Sequence, residues 1–178
     1  PENVYPSILL LKSVPAEKSG VMVTTGVSSG NPIDITVAFS RGVGGAVDGQ
    51  AAETYLLRQD GIDQLLAPAR ERRYTVLPAA GGIGKETAHF DQPLLLPAER
   101  LELRRLALEV RRRLPGTPGI ESNGPFDIEL GFVAGESHLF QVRPFVESKR
   151  AQSSLYLRDL DPPLRGDSWI PLNLELKK

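Results

Sequence analysis

Asp127, Glu129, Gln141 and Arg143 are the residues of this sequence whose types and spacing best suit chemistry. They sit in two short segments, Phe126-Asp127-Ile128-Glu129-Leu130-Gly131-Phe132 and His138-Leu139-Phe140-Gln141-Val142-Arg143-Pro144, separated by Val133 to Ser137. Apolar and polar residues alternate in each, the mark of a half-buried strand. Phe126, Ile128, Leu130 and Phe132 share one face of the first strand, and Phe140 and Val142 share one face of the second. A hairpin symmetric about Gly135 sets Glu129 opposite Gln141 and Asp127 opposite Arg143, with facing Cβ atoms about 5 Å apart. A slip of one residue would send the polar set to the wrong face, so the apolar pattern fixes the register. Mg²⁺ takes oxygen ligands and accepts few from protein, while phosphate and water supply the rest. Arginine offers a planar fork of donors suited to phosphate oxygens. The four residues are therefore able to hold a metal–triphosphate. The other reading is a solvated sheet face carrying ordinary cross-strand pairs, one of them ionic.

Other signals are weaker. Gly81-Gly82-Ile83-Gly84-Lys85-Glu86 has the look of a phosphate loop, but Ala79 stands where the first glycine is needed and Glu86 where Ser or Thr is needed. A mobile surface loop is the expectation there. Gly42-Val43-Gly44 lacks the last glycine of a dinucleotide fingerprint, because that position is Val47. His89 and His138 lack the spacing of a metal site. With no cysteine in the chain, disulfides, thiolate catalysis and cysteine-ligated metals are excluded. A net charge of −1 and a pI near 6.2 give no electrostatic reason for nucleic acid or an anionic membrane as partner. No apolar run approaches the roughly 20 residues that span a bilayer, and a cytoplasmic setting is expected.

The elements that must position the four residues follow from pattern and punctuation. Ile8 to Leu11 is an apolar run of strand length, and Gly20 to Thr25 resumes extended character. The stretch from Gly26 to Pro32 is turn-rich, and Ile33, Ile35, Val37 and Phe39 then alternate as a half-buried strand. Gly42, Gly44, Gly45 and Gly49 form a flexible connection. Thr54 to Arg58 reads as another strand, and the span from Pro68 to Pro97 as loop, with Thr75-Val76-Leu77 a minor strand. One helix is clear, from about Pro97 to Leu114: Leu103, Leu106, Ala107, Val110 and Leu114 recur at helical spacing, and Pro115-Gly116 ends it. Arg100, Arg104, Arg105, Arg111, Arg112 and Arg113 lie mostly off this stripe and read as a solvated face, or as a docking surface for another domain. Residues 148–178 are polar and proline-broken, although Trp169, Ile170, Leu172 and Leu174 suggest packing. The fold class expected is α+β, a mostly antiparallel sheet with one long helix and extended loops.

Three motifs carry a resemblance. Val14-Pro15-Ala16-Glu17-Lys18-Ser19-Gly20-Val21-Met22-Val23-Thr24 resembles the "V-P-A-x-x-S-G-V-M-F-T" segment of the phosphoenolpyruvate synthase and pyruvate phosphate dikinase family. Ser29-Gly30 and Gly42-Val43-Gly44 fall where that family has a Ser-Gly turn and a Gly-Leu-Gly loop. Asp127-Ile128-Glu129, a hairpin and Gln141-Val142-Arg143-Pro144 look like the end of its ATP-grasp domain. The resemblance covers about Pro6 to Glu147 and implies that residues 1–147 are the C-terminal subdomain of an ATP-grasp nucleotide-binding domain. It implies ATP and Mg²⁺ as cofactors, with Glu129 and Gln141 facing the metal and the ATP phosphates. It further implies that Arg143 contacts the transferring phosphoryl group and that Gly42 and Gly44 belong to the nucleotide loop. Asp127 is read as orienting Arg143. The family pattern departs at Gly45, where synthase-like members carry an acidic residue, and at Arg41, where Trp is frequent.

The activity so implied is that of a dikinase-type phosphotransferase, in which ATP phosphorylates a histidine on another domain and a small-molecule acceptor such as pyruvate then takes the phosphoryl group. The alternatives are a non-catalytic relative serving binding or assembly, which Gly45 supports, and an inert structural domain. The expected partners are an N-terminal ATP-grasp half and a phosphohistidine domain. Because one ATP-grasp half supplies only one wall of the site, the 178-residue chain alone is expected to show no ATP-dependent phosphoryl transfer. Steady release of phosphate or AMP by the pure chain, abolished in Glu129→Ala, would refute this.

Overall fold

In a computed structural model, residues 8, 10–46 and 51–147 are described. The chain divides between Phe145 and Val146, and the second unit lies almost wholly outside the described residues, as do Gly49 and the Trp169, Ile170, Leu172 and Leu174 set. The first unit is α+β. Six antiparallel strands form one sheet in the order β4-β3-β2-β1-β7-β8. These are β1 (Lys18–Val23), β2 (Ile35–Arg41), β3 (Glu53–Leu57), β4 (Asp63–Ala67), β7 (Phe126–Val133) and β8 (Glu136–Pro144). A separate ribbon pairs β5 (Arg73–Val76) with β6 (Gly84–Thr87), and the helix α1 is Pro97–Arg113.

The helix forms where its stripe predicts. Leu103, Ala107 and Val110 are buried against Met22, Val37, Phe39, Ile128 and Leu130 of the sheet. Its start is secured by Glu99, whose carboxylate accepts the Leu96 N–H at 2.8 Å and pairs with Lys18 of β1 at 2.9 Å. Acid in the first turn and Arg111, Arg112 and Arg113 in the last complement the helix dipole. The cross-strand registers then sort the sheet into two faces. Gly20, Met22, Val37, Phe39, Ile128 and Leu130 look toward α1, while Ser19, Val21, Ala38, Ser40, Asp127 and Glu129 look away from it. Gly20 has no room for a side chain, since a Cβ there would lie 2.1 Å from the Ala38 carbonyl oxygen and 2.7 Å from Phe39 Cγ. Phe39 of β2 reaches Phe132 of β7, with ring centroids 5.7 Å apart, although β1 runs between their strands.

Several expectations are corrected. Ile8, Leu10 and Leu11 form no strand and are at least three-quarters exposed, and among the described residues no strand pairs beside them. The strand at Ile33 begins only at Ile35; Ile33 is exposed, held in the preceding turn by the Asn31 side chain, which accepts its N–H at 2.9 Å. Two strands were not foreseen. β4 is an edge strand with Leu65 and Leu66 exposed, so it carries no alternation. Gly84-Lys85-Glu86, expected in a mobile loop, belongs to β6, where Lys85 Nζ donates to Thr75 Oγ1 at 2.6 Å and Tyr74 Oη donates to Glu86 at 2.7 Å. The arginines divide. Arg105, Arg112 and Arg113 are solvated and pair with Glu102 and Glu109 along the helix. Arg100 and Arg104 instead turn inward, and both bind Asp63 of β4. Among the described residues no helix is long and apolar enough to cross a membrane.

Burial by itself raises the Asp63 carboxyl, but hydrogen bonds from Arg100 and Arg104, aided by their charge, leave it below its usual value. A carboxyl more acidic in the folded than in the unfolded chain stabilises the fold above its unfolded pKa, about 3.9, and loses that contribution as pH falls through the lower folded value. Asp63→Asn should therefore lower stability by about 1 kcal/mol at neutral pH, discounted for the solvent reaching the triad, and flatten the acid limb. Urea midpoints recorded between neutral and strongly acidic pH check both; an acid limb as steep as in the parent chain would remove the triad from the stability argument.

Candidate functional site

The candidate hairpin is β7–β8. Val133 pairs with Glu136 across a two-residue turn in which Ala134 and Gly135 have φ of 51° and 80°. Both central residues in the left-handed region is the geometry that matches strand twist in tight hairpins. The turn thus centres between Ala134 and Gly135, half a residue before the symmetric position. Without compensation, every pair beyond it would be out of step. A bulge supplies the compensation: Leu130 pairs with Leu139 but Glu129 pairs with Gln141, leaving Phe140 as the extra residue. From there on Glu129 faces Gln141 and Asp127 faces Arg143, the expected register.

The bulge also overturns the expectation that Phe140 shares the buried face with Val142. Phe140 is half exposed, and its Cζ lies 3.0 Å from the position a Cβ on Gly131 would occupy. Gly131 alternates onto the face of Asp127 and Glu129, so the Phe140 ring covers the polar side of the hairpin. Val142 keeps its expected place, partly buried against the core.

Arg143 is held by its Nε side. Nε donates to Asp127 Oδ2 at 2.8 Å, and Nη2 lies 2.8 Å from the same oxygen and 3.7 Å from Glu129 Oε1. Asp127, through its hydrogen bond and then its charge, raises Arg143 further above its already high value. The guanidinium is half exposed, whereas Asp127 and Glu129 are largely covered. The structure therefore brings Asp127, Glu129 and Arg143 into contact on the sheet face remote from the helix, with Gln141 at the register position opposite Glu129. Among the described residues no three His, Asp or Glu side chains cluster as a metal site. One carboxylate and one amide oxygen fit a cation such as Mg²⁺ that draws its remaining ligands from phosphate and water.

Gly42 and Gly44 lie at the other end of the same face. Ser19, on the face of Val21 and Glu129, donates from Oγ to the Gly42 carbonyl at 2.7 Å and accepts the Gly44 N–H at 3.1 Å. The Gly42 N–H donates to Glu17 O at 2.7 Å, and the Val43 N–H to Thr75 O of β5 at 3.0 Å. Gly42 has φ of 70°, and a Cβ there would sit 1.9 Å from Thr75 O. Glu17 connects both parts, since its Oε1 accepts the Ala134 N–H of the hairpin turn at 3.3 Å. Between them opens a cleft of about 300 Å³ lined by Val14, Ala16, Ser19, Val43, Gly44 and Phe140, among others. Arg41 packs on an aromatic: its guanidinium lies 4.9 Å from the Phe90 ring centre and 2.9 Å from the buried Glu71 carboxylate.

The clamps Ser19, Glu17 and Thr75 were not singled out as site residues. Ser19 and Glu17 both lay inside a recognised motif, Glu17 at one of its variable positions, but Thr75 is a backbone contact and leaves no side-chain signal. Compared with known proteins, the chain matches no family model and no curated protein sequence.

The two glycines with similar φ separate strain from crowding. Gly30, at φ 69°, has nothing within 4 Å of an added Cβ, so Gly30→Ala should cost about 1 kcal/mol for the left-handed backbone alone. Gly42→Ala adds a backbone collision and should cost more than about 3 kcal/mol. Denaturant midpoints of the two variants test the clamp; equal losses would show that the glycine loop is free to move off β5.

Proposed function

We propose that this chain is the ATP- and Mg²⁺-binding part of a cytoplasmic dikinase-type phosphotransferase resembling phosphoenolpyruvate synthase. The observation that carries the reading is the Asp127–Arg143–Glu129 contact, with Gln141 opposite Glu129, on the same sheet face as the clamped Gly42–Gly44 loop. A nucleotide laid along that face has a glycine loop and a small cleft at one end and an acid–amide–guanidinium set at the other. In this reading an N-terminal ATP-grasp half closes the site from the opposite side. A histidine on a further domain accepts the phosphoryl group and passes it to a small-molecule acceptor such as pyruvate.

The residue roles follow from chemistry. Glu129 and Gln141 would hold Mg²⁺, which when bound neutralises charge on the β- and γ-phosphates. Arg143 offers its exposed Nη1 side to phosphate oxygens, because Asp127 occupies the Nε side and fixes the plane of the fork. Asp127 is thus a positioning residue. Phosphoryl transfer depends mainly on positioning and charge neutralisation, and this arrangement serves both. Gly45 supports a second reading, a non-catalytic binding or assembly module, since the acid expected in the loop is missing.

In the full-length parent, Arg143→Lys should lower kcat and kcat/KM together by on the order of 100-fold, with little change in ATP affinity. Lysine keeps the charge but loses the planar fork. Glu129→Gln should instead raise the Mg²⁺ concentration needed for half-maximal rate, because a ligand charge is lost while shape is kept. Phosphohistidine formation followed across a Mg²⁺ titration reads both. Turnover within about twofold of the parent for Arg143→Lys would remove the hairpin from catalysis and put the binding-module reading first.

A further inference from the structure

Arg111 differs from the other inward-turned arginines. Arg41 contacts Glu71, and Arg100 and Arg104 contact Asp63, but no carboxylate touches Arg111 among the described residues. Its Nη2 instead faces four backbone carbonyls, those of Thr24 at 2.8 Å, Pro32 at 3.1 Å, Ile33 at 3.0 Å and Asp34 at 2.9 Å. An NH₂ group has two hydrogens, so the four oxygens share them, and the nitrogen sits in its carbonyl cage much as a coordinated cation would. That cage fixes the guanidinium in space.

The other donors remain open. Nε and Nη1 have no hydrogen-bond partner among the described residues, and neither is a sealed orphan, so both meet solvent. Arg111 lines a cleft of about 350 Å³ between the end of β1, the start of β7 and the last turns of α1, together with Thr24, Thr25, Pro32, Asn123, Gly124 and Pro125. Among the described residues no carboxylate lines this cleft. Asp34 is the nearest acid to act on Arg111, and its carboxylate is committed elsewhere, accepting Ser29 Oγ, Asn31 Nδ2 and the Gln59 N–H. Burial pulls the Arg111 pKa down and Asp34 pulls it up; an arginine stays charged at neutral pH regardless. The cleft therefore presents an immobilised positive charge with spare donors among uncharged, largely apolar walls.

We propose that this cleft is a binding site for a small oxyanion, a carboxylate or a phosphate, received by the open N–H groups of Arg111 and the side-chain amide of Asn123. The site is separate from the β7–β8 hairpin and independent of the function assigned to it. It borders that hairpin through Thr24, which exchanges hydrogen bonds with Phe126, the residue before Asp127: Thr24 N–H to Phe126 O at 2.9 Å and Phe126 N–H to Thr24 Oγ1 at 2.8 Å.

The test is an amide-shift titration of the ¹⁵N-labelled 178-residue chain with inorganic phosphate and, separately, with acetate. Saturable shifts at Thr24, Thr25, Asn123 and Gly124 are expected, with a Kd on the order of millimolar for the preferred anion, as a few charge-assisted hydrogen bonds would give. The anion that saturates first identifies the class. Asn123→Asp places a carboxylate at the mouth without touching the carbonyl cage, and should weaken binding by about tenfold or more. Arg111→Gln should abolish binding, but because it also empties the cage its melting temperature is read alongside, and Asn123→Asp carries the decision if it unfolds. Shifts that stay linear to roughly 100 mM of either anion, as generic screening gives, would overturn the proposal. So would saturable shifts unaltered by Asn123→Asp, or shifts confined to Gln141 and Arg143, which would speak for the hairpin instead.

Discussion

The absence of a side chain at Gly20 is the constraint on which the rest depends. Only there can Phe39 cross over the central strand to meet Phe132, which binds β2 and β7 into one core although neither pairs with the other. Any Cβ would strike the Ala38 carbonyl and the Phe39 ring, so the strand order and the aromatic contact stand or fall together. Because β1 is locked in register on both sides, the residues alternating with Gly20 are fixed too. Ser19 is aimed at the glycine loop, and Val21 is set beside Glu129. The two ends of the candidate site are therefore coupled through one strand rather than through contact with each other.

The charge distribution follows the same economy of placement. On the helix side, ionic groups lie at the margins of the core, where Lys18–Glu99, Arg41–Glu71 and the Arg100–Asp63–Arg104 triad close its rim. Burying such groups is costly unless each has a charged partner, as each has here, although Glu71 Oε2 is buried without a hydrogen bond of its own. On the opposite face the charges of Asp127, Glu129 and Arg143 gather without being needed to seal a core. Arg143 remains half exposed while its carboxylates are largely covered. A group held in place on one side and open on the other is able to receive a ligand without first being ordered.

Much of this was legible because periodicity reports on faces. The α1 stripe and the alternation in β2 and β7 were read directly, for in each a buried side lies against an open one. Asp127 opposite Arg143 and Glu129 opposite Gln141 were also read, but from an assumed symmetry that the molecule does not have. The early turn and the bulge each displace the register by one step and cancel. What escaped was of another kind. β4 and β6 bury little and so leave no pattern. Thr75 acts through its carbonyl, and a backbone oxygen is the same in every residue. Phe140 could not be placed by counting, since a bulge inverts the alternation that counting relies on. The arginines of α1 looked alike as a run, and their separation into solvated and inward sets depends on Asp63 and on carbonyls more than seventy residues away in the chain.

The bulge at Phe140 has a consequence for how this hairpin tolerates change in length. It divides β8 into two reading frames, one set by the Ala134–Gly135 turn and one set by pairing with β7 around Glu129. Within the outer frame, side chains from Glu136 to Leu139 can be re-phased by the turn alone. The inner frame, which carries Gln141 and Arg143, is insulated from them as long as one surplus residue is stored between. Phe140 thus works as slack in the chain. A turn lengthened by a single residue would find its compensation already built in, with the bulge drawn out and Phe140 returned to regular pairing, while the charged pairs keep their places.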